Sequence, residues 1–353
     1  MTKQISIIVL ILSTILPCFS QAGYGIYQFL ELPASSRLAA LGGSNVSLKD
    51  NDINFAFQNP ALLGTESNKV ISFNTAFYLA DIQFGSVAYA KSIDSTSTLA
   101  IGIQYIDYGT FKNVTDFNEI IGQFTAKDYA VSAMYARQLN KLFSIGVSLK
   151  PIYSVYEQYS SFGLGVDAGI SYYNPKELIS AGFVFRNFGS QIKGYYSDEN
   201  GQHLEPLPLN IQLGATKKFA HAPLRLSLTL HNLQQFDLSY KSTNQPKSSL
   251  TATTTGNNDS FVKTVGNTFE KAVDHAIVGV EFVPNNNFYV AVSYNRRRQA
   301  ELSSDGFKSY SGFSFGGGIK LSKFHVGFGR SQFYTGNYAY QFSISTALNE
   351  FKL

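Results

Sequence analysis

Cysteine occurs once in 353 residues, tryptophan not at all, and charged side chains make up only 15% of the chain. Each shortage excludes something. The lone Cys18 permits no disulfide framework, and because it falls in an N-terminal leader the mature chain is expected to carry no thiol nucleophile and no sulfur ligand for a metal. The charge content lies well under the ~25% usual in soluble proteins. Downstream of the leader, no apolar run approaches the ~20 residues that a membrane-spanning helix needs. The net charge of +4, one less without Lys3, is too small to suggest a nucleic-acid surface.

What the chain does hold is Tyr, Phe and Gly: 22, 29 and 29 residues, with a mean hydropathy of −0.05. A sequence poor in charge yet near zero in hydropathy suits a transmembrane β-barrel, where lipid-facing and lumen-facing residues alternate and average out. The first residues fit that address. Lys3 supplies a positive start, Ile5 to Leu16 is an apolar stretch of signal-peptide length, and small residues at Cys18, Ser20 and Ala22 mark a cleavage region. Residues 1–22 therefore read as a cleaved signal peptide, with Gln21 or Gly23 as the first mature residue. Pro17 directly before Cys18 argues against lipid attachment there.

From Val70 onward the dominant period is two. Phe143, Ile145, Val147 and Leu149 alternate with Ser144, Gly146, Ser148 and Lys150; Leu224, Leu226 and Leu228 alternate with Arg225, Ser227 and Thr229. In water such a face would cover a sandwich core, and in a membrane it would meet lipid. Segment count and turn lengths separate the two. Strands are expected at 68–79, 82–93, 96–107, 124–138, 141–157, 161–173, 177–188, 207–219, 223–235, 273–283, 287–296, 312–321, 324–333 and 338–349. They are even in number, and each is long enough to span when tilted. Every second connection is short, while the others include long loops at 108–123, 189–206, 236–272 and 297–311. Outer-membrane barrels show this parity, with short periplasmic turns and longer outer loops, and it places both chain ends in the periplasm. The expected architecture is an all-β, 14-stranded antiparallel transmembrane barrel over 68–353. Residues 23–67 precede it as a plug or hatch in the lumen.

That N-terminal segment carries an ordered set of motifs: Tyr27-Gln28-Phe29-Leu30, Leu32-Pro33, Ser36-Arg37-Leu38-Ala39-Ala40-Leu41-Gly42-Gly43, Asn51-Asp52 and Asn59-Pro60-Ala61-Leu62-Leu63. It resembles the opening of the PorV/PorQ family of FadL-like barrels, in which an Asn-Pro-Ala step belongs to the hatch. Tyr78-Leu79-Ala80-Asp81-Ile82, Ile103 to Gly109, Phe124 to Ala130, His221 to Arg225 and Asn232-Leu233-Gln234 extend the likeness over the mature chain. Phe236 departs from it, standing where relatives are expected to have Trp. The resemblance implies an outer-membrane component of the type IX secretion system of Bacteroidetes. Such a barrel would anchor a PorZ-like surface protein in the attachment complex where lipopolysaccharide is joined to cargo. In this reading Arg37, Leu41, Gly42 and Gly43 form the family motif, and Asn59, Pro60 and Ala61 form the hatch motif.

Enzymatic and cofactor motifs are not evident. The five histidines (His203, His221, His231, His275 and His325) lack metal-ligand spacing, and no phosphate loop or nucleophile elbow stands in a suitable context. Asp167 and Glu281 fall in strands and are expected to point into a polar lumen. Arg296-Arg297-Arg298 is the sharpest charge feature. At an outer rim its forked side chains would suit lipopolysaccharide phosphates or an acidic partner, though a solvated loop base is the simpler reading. The 240–260 stretch, rich in Ser, Thr, Asn and Lys, reads as an exposed loop and a docking surface. Three functions compete, in this order: a non-enzymatic anchor, then a FadL-like transporter of hydrophobic small molecules or lipids, and last a barrel hydrolase. The anchor needs only long outer loops. A transporter needs an apolar pocket beside the hatch, for which Phe55, Phe57 and Leu62 are candidates. A hydrolase needs a nucleophile and histidine held together, which the sequence does not show.

Overall fold

The computed structural model describes residues 25–79, 81–199, 201–235, 273–285, 287–302, 311–334 and 337–351. The leader and the 236–272 loop, including its 240–260 stretch, lie outside the described residues.

The alternating segments become strands β1 (Val70–Phe77), β2 (Gln83–Ser92), β3 (Ser97–Val114), β4 (Ile120–Gln138), β5 (Phe143–Tyr156), β6 (Tyr159–Asn174), β7 (Ile179–Lys193), β8 (Ser197–Asp198), β9 (Gly201–Gln202), β10 (Asn210–Lys218), β11 (Leu224–Leu230), β12 (Ala276–Asn285), β13 (Phe288–Asn295), β14 (Phe313–Leu321), β15 (Phe324–Tyr334) and β16 (Asn337–Ala347). Among the described residues, fourteen of these close into one antiparallel barrel in chain order. β1 pairs with both β2 and β16, and β7 pairs directly with β10. Closure removes the sheet edges, the requirement for backbone immersed in lipid. β8 and β9 pair only with each other and form a small ribbon in the connection from β7 to β10.

The register places the apolar set outside. Val147 is 51% exposed and Ile101 53%, and Leu226, Val280, Val292, Phe315 and Ile344 share that face. Their strand neighbours Ser148, Gly102, Ser227, Glu281, Ser293 and Ser314 point inward. An outward apolar belt around a polar interior reverses the arrangement of a soluble protein, and lipid supplies its missing partner.

Two loop boundaries differ from the sequence expectation. The 108–123 loop is largely ladder: β3 and β4 pair from Thr110↔Thr125 out to Val114↔Ile120, beyond a bulge at Asp107/Thr110. The alternation fails there because both faces of this ribbon are exposed, so no periodic pattern is selected, while the backbone keeps its hydrogen bonds. The 189–206 loop is shortened in the same way, β7 continuing to Lys193 with the β8–β9 ribbon after it. In the 297–311 connection, Arg296–Glu301 forms a helix whose N-cap is Asn295, its side chain accepting from Arg298 N. Residues 303–310 are outside the described set.

Residues 25–67 contain no strand. They form a 3-10 turn (Gln28–Glu31), helix α1 (Ser36–Ala40), and further 3-10 turns at Ile53–Phe57, Pro60–Leu62 and Thr65–Ser67; the Arg296–Glu301 helix is α2. Irregular backbone leaves carbonyls unpaired, and inward strand side chains satisfy them. Gln341 donates to Pro33 O (2.8 Å), Ser86 to Ala34 O (2.7 Å) and Ser293 to Ala40 O (2.7 Å). Ser36 N donates to Ser343 Oγ (2.8 Å), while Ser72 and Asn74 both donate to Asn54 Oδ1.

Candidate functional site

The Asn-Pro-Ala step forms a tight turn set into the barrel wall. Asn59 caps it by accepting from Ala61 N (3.0 Å), and its amide donates to Val46 O (3.0 Å) and Ile170 O (3.3 Å). Pro60 and Ala61 rest on Gly146 of β5. On the next strands, a Cβ at Gly169 would meet Asn59 Oδ1 at 2.1 Å, and one at Gly182 would meet Val46 O at 1.9 Å. Only glycine lets two backbones approach so closely.

Arg37 anchors the other side. Its Nε donates to Glu281 Oε1 (2.9 Å), and Nη1 reaches Asp50 Oδ2 (2.7 Å). Arg225 takes the other oxygen of Glu281 (2.7 Å) and lies 3.5 Å from Asp50. The Arg37 guanidinium also covers the rings of Tyr289 (4.5 Å) and Phe55 (5.5 Å). Burial alone would lower the Arg37 pKa, but Asp50 and Glu281 together hold it well above the ordinary arginine value. Burial likewise pushes Asp50 up, and Arg37 and Arg225 outweigh it, leaving its carboxyl below the usual range.

A second network grips Glu31. Its carboxylate accepts from Asn187 (2.9 Å) and Asn210 (2.6 Å) and sits 3.6 Å from Arg186, whose Nη2 donates to Leu30 O (3.0 Å). Beside it, fully buried Lys150 pairs with Asp167 at 2.6 Å and donates to Asn187 (3.0 Å). Asp167 and Glu281 thus point inward as expected, Asp167 paired with Lys150 and Glu281 shared by Arg37 and Arg225. Lys150 and Arg186 were not singled out by motif, and Arg225 only as the end of the His221 to Arg225 likeness. The available signal was a charged residue at an inward register position of an otherwise small and polar strand face.

The glycine motif and the arginine triplet, far apart in sequence, meet. Leu41 ends α1, and Gly42 and Gly43 follow with φ of +86° and +99°, a left-handed exit that side chains disfavour. Gly42 O accepts from Asn295 Nδ2 and from Arg298 Nη2, both at 3.1 Å. Arg298 also donates to Ser314 and covers the Phe333 ring at 4.4 Å, and burial lowers its pKa to about 10. It therefore faces the N-terminal segment. Arg296 and Arg297 stay nearer the surface, paired with Asp274 (3.3 Å) and Glu301 (2.6 Å). The triplet does not present three free forks outward: one member is turned into the interior. Phe55, Phe57 and Leu62, considered as walls of an apolar pocket, instead pack together with Leu41, Leu48 and Met134 in a filled core.

Two cavities open at the loop end. One, of about 240 Å³, is bordered by Glu31, Gly43, Arg186, His231, Arg297 and Arg298. The other, of about 520 Å³, is bordered by Tyr27, Tyr108, Tyr156, Tyr159, Tyr195 and Asp128. Among the described residues, no group of three metal-ligating side chains is present.

No family model and no curated protein matches the sequence. Solved structures do match in fold. The Pseudomonas putida toluene transporter TodX superposes with a TM-score of 0.53 at 11% identity, over 90% of this chain and 99% of its own. A structure described as the CymD monoaromatic hydrocarbon channel gives 0.50 at 11% identity, over 91% and 97%. A Pseudomonas aeruginosa FadL homologue gives 0.46 at 12% identity, over 94% and 99%. Among the described residues the chain thus forms a closed, fourteen-stranded antiparallel barrel, the fold shared with TodX and the CymD channel.

Proposed function

We propose that this protein is a non-enzymatic outer-membrane barrel that admits small hydrophobic molecules at its loop end. The observation that carries this reading is the 520 Å³ aromatic cavity, bounded on one side by the wall and on the other by Tyr27 of the N-terminal segment. A ligand there touches the strandless N-terminal segment, and residues 25–67 act as the hatch. The barrel fold supports the reading, since the neighbours named above are described as a toluene transporter and a monoaromatic hydrocarbon channel. Uptake of radiolabelled toluene by cells that display the barrel should exceed that of cells lacking it several-fold, with Tyr27→Ala altering the rate. Equal uptake in both cell types rules the transport reading out.

A second reading is the type IX anchor, as in a PorQ-like component holding a PorZ-like surface protein. The projecting end of the β3–β4 ribbon favours it. Phe117 is 88% exposed, Ile121 64% and Ile120 60%, an apolar tip beyond the part of the barrel that lipid would cover. Outer-membrane lipopolysaccharide and a protein partner are the candidate neighbours of this end, and Arg296 and Arg297 stand near the same rim. An affinity pulldown from native outer membrane, with Phe117→Ser and Ile121→Ser as the comparison, tests it. Recovery of a large surface protein by the parent barrel but not by the double variant supports anchoring.

A further inference from the structure

The tyrosine cavity has a chemistry that a hydrocarbon site does not require. Tyr108 and Tyr156 lie with ring centroids 5.7 Å apart, and Tyr156 and Tyr195 lie 5.3 Å apart at 80°. Tyr27 and Tyr159 complete the lining. Behind these rings is Asp128, 1% exposed. Its Oδ2 accepts from Tyr108 (2.8 Å) and Tyr156 (3.2 Å), and its Oδ1 accepts from Ser154, which in turn accepts from Tyr195. All of these partners are neutral. Lys127, the next residue in the chain, points away and pairs with Asp107 at 2.8 Å. Glu205 adds a second carboxylate to the border, and among the described residues no Lys or Arg lines the cavity.

A buried carboxylate is ordinarily paired with a cation, as Asp167 and Glu281 are in this same barrel. Among the described residues Asp128 is the exception, and the space beside it is walled by tyrosine rings. We infer that this cavity binds a small organic ammonium ion from the aqueous side, its alkyl groups against the tyrosines and its charge toward Asp128. Alkylated ammonium fits both features at once, because it offers apolar surface and a weakly hydrated positive charge to the ring quadrupoles. A neutral hydrocarbon would leave the carboxylate uncompensated. A bare metal ion would need oxygen ligands that are already engaged by hydroxyl donors. A phosphate-bearing headgroup would meet two carboxylates and no cation. The inference does not depend on transport, since a site can hold this cation whether or not the barrel conducts anything.

The test uses the full-length barrel in maltoside micelles and three probes by isothermal titration: choline, its neutral isostere 3,3-dimethylbutanol, and phosphocholine. Choline should bind, and the isostere should bind roughly tenfold more weakly, the factor expected from one desolvated cation–π contact. Phosphocholine should also bind more weakly than choline. Asp128→Asn and Tyr156→Leu should each weaken choline by about tenfold, with folding checked by heat-shifted electrophoretic mobility. Because both residues are interior, half-exposed Tyr159→Leu serves as the variant least able to disturb the barrel, and it should weaken choline measurably. Equal binding of choline and the isostere, tighter binding of phosphocholine, or no binding of choline by the folded protein overturns the assignment. Failure of toluene uptake with intact choline binding would remove the transport reading and leave this site standing.

Discussion

Residues 25–67 are held in opposite ways toward the two ends of the barrel. Toward the short turns, the N-terminal segment is fastened by completed ion pairs and by bare glycine contacts. Arg37, Arg225, Asp50 and Glu281 neutralise one another there, and the Asn59 turn lies on Gly146, Gly169 and Gly182. Toward the loops, the same segment meets tyrosines, an arginine and open space, and Asp128 has only neutral partners. Charge that is complete leaves no room and needs no ligand. Charge that is incomplete beside a cavity leaves a place for one. The difference follows from what the segment brings to each end: Arg37, Asp50 and Asn59 at the short-turn end, and Gly25 to Glu31 at the loop end.

The firmest way to break the comparison is to open the completed end. Glu281→Gln leaves two arginines facing each other without their shared carboxylate, and a buried pair broken on one side costs about 3–5 kcal/mol. Urea unfolding in micelles should show that loss, and a loss below about 1 kcal/mol would mean that water already compensates the network. Gly182→Ala comes next. Its methyl would overlap Val46 O, so the segment must shift, at a cost of about 1–3 kcal/mol, and limited proteolysis should cut residues 25–67 faster.

The loop end should be sensitive to acid instead. Burial, together with Arg297, His275 and Arg298, lowers the His231 pKa to about 3. The unfolded chain binds this proton near pH 6.5 and the folded chain does not. Stability from His231 is therefore present above pH 6.5 and is lost as pH falls toward 3, at up to about 1.4 kcal/mol per pH unit. A His231→Gln variant should flatten that part of the stability profile, and an unchanged slope would show that another group governs it. Within the arginine triplet the expected effects divide, and the smallest of all falls at Arg297. Arg298→Ala loses charge-assisted bonds to Gly42 O and Ser314 and should cost about 1–3 kcal/mol, whereas Arg297→Ala breaks a surface pair and should stay within about 0.5 kcal/mol. Equal effects for the two would contradict the inward assignment of Arg298.

Much of the wall was legible because a strand in lipid has one strict rule. Phe143, Ile145, Val147 and Leu149 must alternate with small or polar residues, and the parity of turn lengths then counts the strands. The β3–β4 ribbon escaped because that rule ends where both faces meet water. Inward Asp167 and Glu281 were legible from register alone, but their partners were not. Lys150 and Arg225 lie on neighbouring strands, while Arg37 and Asp50 come from a segment without periodicity. The arginine triplet was visible as charge, yet its division into one inward and two outer members depends on Gly42 O, more than two hundred residues away. The tyrosine cavity left no single motif, since Tyr27 and Tyr108 fall in separate family-like stretches and Tyr156, Tyr159 and Tyr195 are scattered along the chain.

The sequence by itself determined the closed barrel, its strand number and which face of each strand meets lipid, because these follow from a local period of two and from the cost of unpaired backbone in a membrane. Only the tertiary structure decided which charges are paired, where glycine admits the N-terminal turns, and which carboxylate faces an aromatic cavity. Those depend on distances between residues that are remote in the chain, and no local pattern encodes them.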